Sequence, residues 1–213
     1  MTRAAAATTL VTALACGAFA CEVFAPAEAA AVTIRLANAE AVPIEDAVVM
    51  FDPADATPTA TPQTAAVDQI NRRFVPHVTV VQKGTSISFP NSDRIRHQVY
   101  SFSPAKTFTL KLYAGSPRMS VTFDKPGLVV LGCNIHDSMV GFIAVADSPY
   151  FGKSGSNGIV TLDLPPGAYR LRVWHAELAA PIAPRLVTIG AGAQTIPVLA
   201  AVDHGVTAPA PWP

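Results

Sequence analysis

Along most of the chain the apolar residues fall in short runs of period two, separated by turn-forming residues. That is the signature of strands with one buried face. Val32, Ile34 and Leu36 alternate with Thr33 and Arg35, and Asn38-Ala39-Glu40 makes a turn. Ala47-Val48-Val49-Met50-Phe51 then reads as a buried run. Strands resume at Phe74, where Val78 and Val80 alternate, Lys83-Gly84 turns, and Ile87 and Phe89 alternate with Ser86 and Ser88. Residues 99–102 and 107–112 predict further strands, and Met119, Val121 and Phe123 alternate as core positions into a Lys125-Pro126-Gly127 turn. Residues 128–131 form a second buried run and 141–145 the strand after it. Residues 159–164, the turn Pro165-Pro166-Gly167 and residues 169–174 predict a β-hairpin, and 185–189 and 195–199 complete the set.

Composition supports an all-β chain with many turns. Of 213 residues, 19 are Pro and 13 Gly, half are hydrophobic and 14% are charged, with no net charge. The length suits one large domain or two small ones. A neutral, weakly charged chain lacks the basic stripe that nucleic-acid binding requires. Residues 52–65, rich in Pro, Thr and Ala without period, read as a linker or long loop, and FGKSGSNG at 151–158 as a Gly/Ser loop. The start is a targeting segment. Met1-Thr2-Arg3 precedes an Ala-rich apolar run, and Ala27-Glu28-Ala29 offers a small-x-small cleavage site. Taking 1–29 as a secretory signal removes Cys16 and Cys21, so Cys133 becomes the sole thiol of the mature chain. An exported protein with one thiol forms no internal disulfide, which leaves an inert buried Cys, a ligand or a nucleophile.

The chemistry sits in Gly132-Cys133-Asn134-Ile135-His136-Asp137-Ser138-Met139. A thiol, an imidazole and a thioether stand at C-x2-H-x2-M spacing, and His97 lies 36 residues before Cys133. Two His, one Cys and a weak axial Met form the ligand set of a blue-copper electron-transfer site. Cys133 would supply the soft anionic donor, His97 and His136 the borderline nitrogens, and Met139 the weak axial contact, for one copper per chain. A site built on sheet ends changes little between Cu(I) and Cu(II). Asp137 reads as a solvated loop acid, His77 and His204 as ordinary, and His175 beside Trp174 as a packing or capping residue. A Cys133 nucleophile with a His136 base leaves Met139 unexplained and has no identifiable oxyanion donor. No His-x-His pair of the kind trinuclear oxidases use is present. The expectation is a protein that is not an enzyme.

These residues resemble the cupredoxins. The Cys133, His136 and Met139 spacing is similar to that of the short-loop, amicyanin-like members. The wider pattern FPNSD…RHQVYSFSP…LYAG…FDKPG…LGCNIHD resembles bacterial plastocyanin-like proteins often labelled methylamine-utilisation proteins. The resemblance implies a Greek-key β-sandwich, ligand roles for His97, Cys133, His136 and Met139, and a solvent-facing edge of His136 as electron port. Gln98 stands where relatives have Asn, and Ser138 where a bulky aromatic is common. Separately, VTIRLANAEAVPIEDAVVMF at 32–51 and GIVTLDLPPGAYRLRVWHAEL at 158–178 resemble the two parts of a carboxypeptidase-regulatory-like or transthyretin-like module.

The expected organisation follows from both resemblances. A signal peptide at 1–29 precedes the first strands of a small Ig/transthyretin-like sandwich at 30–51. A linker at 52–66 leads into a cupredoxin domain at 67–147. A second linker at 148–157, the rest of the small sandwich at 158–202 and a disordered tail at 203–213 complete the chain. The expected function is a monomeric, periplasmic one-electron carrier between redox partner proteins, without an integral membrane span. From Pro90 to Lys125, Arg94, Arg96, Lys106, Lys111, Arg118 and Lys125 outnumber Asp93 and Asp124, which would steer docking toward an acidic partner. The other readings are a copper carrier or storage protein and a structural envelope module with a vestigial site.

Overall fold

The computed structural model describes residues 28–55, 59, 61, 63–116, 119–203, 209 and 212. The signal segment expected at 1–29 lies almost wholly outside them, as do His204 and Arg118. Among the described residues the regular structure is all strand. In chain order the strands are β1 (Ala30–Ala37), β2 (Val48–Pro53), β3 (Thr64–Ala66), β4 (Asp68–Ile70), β5 (Arg73–Val75), β6 (Val78–Gln82), β7 (Thr85–Ser88) and β8 (His97–Ser103). They continue as β9 (Lys106–Tyr113), β10 (Val121–Phe123), β11 (Gly127–Gly132), β12 (Val140–Ala146), β13 (Phe151–Lys153), β14 (Ile159–Leu164), β15 (Gly167–Trp174), β16 (Arg185–Ile189) and β17 (Gln194–Leu199).

Four sheets stack in layers. The first, in the order β14-β1-β17, faces the second, β13-β2-β15-β16. Their shared core holds Val32, Ile34, Leu36, Val49, Phe51, Leu164, Leu171 and Val173. A five-stranded sheet, β6-β12-β11-β8-β9, faces a three-stranded one, β10-β7-β3. Between these two lie Phe74, Ile87, Phe89, Val99, Phe123, Val129, Leu131, Ile143 and Val145, together with Cys133 and Met139.

A third apolar layer joins the two sandwiches. Val48, Met50 and Trp174 from the four-stranded sheet meet Val78, Phe142, Ala144 and Ala146 from the five-stranded sheet. Thus β2 sends Val49 and Phe51 into one core and Val48 and Met50 into another. Likewise β12 sends Ile143 and Val145 one way and Phe142, Ala144 and Ala146 the other. Strands buried on both faces lose the period-two pattern, which is why both stretches are continuous apolar runs.

Several expectations change. Met119 is not core. It precedes β10, whose pairing with β7 starts at Val121, and it is 72% exposed. The stretch 52–66 is not all linker, because β2 runs on to Pro53 and Thr64–Ala66 pairs in parallel with β7. Within 148–157, Phe151–Lys153 is a strand paired with β2. Strand structure resumes before Phe74, in the β4–β5 hairpin. In the tail, Trp212 packs 6.4 Å from Trp174, centroid to centroid, and beneath the Arg172 guanidinium.

Candidate metal centre

The loop joining β11 to β12 explains the spacing of its side chains. His136 N–H donates to the Cys133 carbonyl (3.4 Å), and Met139 N–H to the His136 carbonyl (2.8 Å). Two successive turns of three residues therefore put positions 133, 136 and 139 on one side. Cys133 and Met139 are buried and His136 is half-buried, while Asn134, Ile135, Asp137 and Ser138 face solvent. Just before the loop, Gly132 lies opposite Tyr100 on β8. A Cβ there would stand 2.7 Å from the Tyr100 ring, so only glycine lets that ring cross the strand.

His97 opens β8. It is fully buried, and the β8–β9 register shifts between His97 and Val99, so that Lys111 and Leu112 oppose Gln98 alone. Bulges of this kind re-aim side chains beside functional sites. The His97 ring points its Nδ1 at the Cys133 sulfur, 3.7 Å away, and lies 5.1 Å from the His136 ring, centroid to centroid. One ligand atom from each of His97, Cys133 and His136 lies within 4.8 Å of the others. The His136 Nδ1 is buried and has no hydrogen-bond partner among the described residues. Met139, almost fully buried in the same apolar cluster as Cys133, brings its thioether to that core. All four sequence-expected residues thus sit at one end of the sandwich formed by the five- and three-stranded sheets.

The far side of His97 is held by groups that spacing does not reveal. Its Nε2 lies 2.7 Å from Asp93 Oδ2. Burial pushes the Asp93 carboxyl up, but hydrogen bonds from Arg72 N–H, His97 and Asn71 N–H outweigh that and hold it below the usual carboxylate range. Asn91, also buried, donates from Nδ2 to the Ile95 and Tyr113 carbonyls, both at 2.9 Å. Buried Gln69 donates to the Pro90 carbonyl (3.0 Å) and to the Tyr113 hydroxyl (2.6 Å). Desolvation pushes the Tyr113 phenol up to about 12. Elsewhere, His77 stacks edge-on against Phe142, and His175 Nδ1 accepts a hydrogen bond from Glu177 N–H at 3.1 Å.

The donor set fits copper. It combines one soft thiol, two imidazoles with a nitrogen turned inward, and a buried thioether. The unpartnered His136 nitrogen is the kind of buried polar atom that otherwise costs about 1–3 kcal/mol. No family model matches the sequence, and no curated protein matches it. Solved structures do. A Cu-containing nitrite reductase from Thermus scotoductus SA-01 is 28% identical over 45% of this chain, with a TM-score of 0.36. The match spans only a quarter of that enzyme's length, 25%. A purple cupredoxin from Nitrosopumilus maritimus is 20% identical over 38% of this chain and 99% of its own, with a TM-score of 0.35. A pseudoazurin from Sinorhizobium is 21% identical over 41% of this chain and 76% of its own, with a TM-score of 0.32. The likeness is to cupredoxins, and it is partial.

Proposed function

We propose that the chain is an exported one-electron carrier that holds a single copper ion through His97, Cys133, His136 and Met139. It is not an enzyme in this reading, and it works in the periplasm between partner proteins. The supporting observation is the convergence of the His97, Cys133 and His136 donor atoms within 4.8 Å. Bound copper would supply the change of oxidation state. The chain's residues supply the rest. Cys133 gives the soft anionic donor, and the buried cluster around Cys133 and Met139 excludes water. The loop is anchored at each end in β11 and β12, which limits how far the ligands shift. In the same reading, the sandwich at 67–147 is an insertion between the halves at 30–51 and 158–202 of the other.

The partner surface lies at the ligand-bearing end. Arg94 and Arg96 are exposed on either side of Ile95, on the loop leading into His97, and Ile135 is 52% exposed beside His136. Exposed Asp137 adjoins His136 on the other loop, so the positive charge is confined to Arg94 and Arg96; those two arginines suit an acidic protein, with association that slows as salt rises. The deciding experiment is copper loading. With Cu(II) the protein should turn intensely blue through thiolate-to-copper charge transfer, and Cys133→Ser should abolish the colour. A colourless protein that holds Cu(I) would favour a carrier or storage role instead. No copper uptake would leave the structural reading.

A further inference from the structure

Resting on the metal-centre reading above, we infer that Asp93 is a positioning residue for His97, itself clamped by the β4–β5 hairpin turn. A carboxylate only accepts hydrogen bonds, and a neutral imidazole carries one N–H. At 2.7 Å from Asp93 Oδ2, the His97 proton belongs on Nε2. Nδ1 is then a bare lone pair facing the Cys133 sulfur at 3.7 Å. The ring cannot exchange its two nitrogens without breaking this bond, and His97 itself, 0% exposed, has no water to replace it.

The carboxylate is itself fixed by two backbone amides, and the Asp93 backbone by a third bond. Asn71 and Arg72 form the hairpin tip, both in the left-handed region at φ 52° and 57°. Two-residue hairpins use that conformation, and here it turns successive amides to one side. Asn71 N–H donates to Asp93 Oδ1 (2.6 Å) and Arg72 N–H to Oδ2 (2.8 Å). Asp93 N–H donates to Asn91 Oδ1 at 3.0 Å. The hairpin is tied to the same segment, because Gln69 N–H donates to the Pro90 carbonyl and Ser92 N–H to the Gln69 carbonyl, both at 3.1 Å. A turn outside the ligand loop therefore sets the orientation of a ligand ring. The carboxylate also makes that ring more basic, and its charge favours the more positive metal state.

The test uses the full mature chain with Asp93→Asn, Asp93→Ala and Asp93→Glu. In the metal-free protein, long-range 1H–15N NMR should show His97 as a single Nε2–H tautomer. Asp93→Ala should give a mixture, and Asp93→Asn, which keeps an acceptor, should retain the tautomer. On loading, Asp93→Asn and Asp93→Ala should bind Cu(II) about 10- to 100-fold more weakly. Cu(I) should lose less, so the reduction potential rises. Asp93→Glu should recover part of the loss. A single Nε2–H tautomer in Asp93→Ala with unchanged Cu(II) affinity would overturn the assignment. If Asp93→Ala does not fold, Asp93→Asn decides, and equal Cu(II) and Cu(I) affinities to the parent would overturn it. A parent chain that takes up no copper would sink the metal reading, while the metal-free tautomer comparison would still decide the role of Asp93.

Discussion

Trp174 carries the contact between the two sandwiches, and removing it measures how strongly they are coupled. Its indole is fully buried on β15, with its ring centroid 5.4 Å from that of Phe142 on β12 of the facing sheet. Truncating a buried Trp to Ala costs about 3–5 kcal/mol, from lost burial plus the cavity left behind. For a denaturant slope of about 3 kcal/mol per M urea, the midpoint should fall by about 1–2 M. Metal-free protein followed by far-ultraviolet circular dichroism is the suitable assay, since bound metal would add its own stabilisation. The single variant alone does not separate the cross-sheet contact from packing within the four-stranded sheet. A double-mutant cycle with Phe142→Ala does. An aromatic pair at this separation should show a coupling of about 0.5–1.5 kcal/mol. Strictly additive losses, or a Trp174→Ala cost under about 1 kcal/mol, would refute the stacked arrangement.

Gly158→Ala should destabilise by about 1–3 kcal/mol, because Gly158 has φ +68° and a Cβ would stand 2.3 Å from the Leu36 carbonyl oxygen. Differential scanning calorimetry should show a fall of about 3–10 °C, and an unchanged transition would contradict the geometry. In an alkaline absorbance titration Tyr113 should give a component near 12, and Tyr113→Phe should remove it. An unfolded tyrosine ionises near 10, so the folded state is favoured below that pH. This contribution fades as pH climbs from about 10 toward 12. A titration that is complete by pH 11 would refute it.

Much of the strand order is legible because alternation and turn residues act locally. Ile159–Leu164 and Arg185–Ile189 fall where the pattern puts them. The β11–β12 loop is legible for a similar reason, since its three-residue spacing follows from two consecutive turns. Short strands are harder. Thr64–Ala66 shows no buried face of its own and exists only by pairing with β7. Phe151–Lys153 hides behind Gly152, whose missing side chain makes room for Val160. Met119 continues the alternation of Val121 and Phe123 one step ahead of the paired strand, where no sheet covers it. The groups behind His97 escape for a different reason. Asp93 matters through the direction of two backbone amides at Asn71 and Arg72, more than twenty residues away, and no residue-type pattern encodes that direction.

The chain leaves and re-enters the four-stranded sheet at adjacent places. Phe151 on β13 pairs with Met50 on β2, and Phe51 N–H donates to the Tyr150 carbonyl at 2.8 Å. Cutting out the intervening residues and closing the gap with a short turn would leave β2 and β13 as an ordinary hairpin. It would also lay Val48, Met50 and Trp174 open to water, since their cover is Val78, Phe142, Ala144 and Ala146. The sandwich of β14-β1-β17 and β13-β2-β15-β16 is thus built as half of a pair, with two crossings of the chain and an apolar seam between the halves, so neither half swings as a bead on a tether. In the proposed reading, anything that held the outer β14-β1-β17 sheet would also set the bearing of the His136 edge toward a partner.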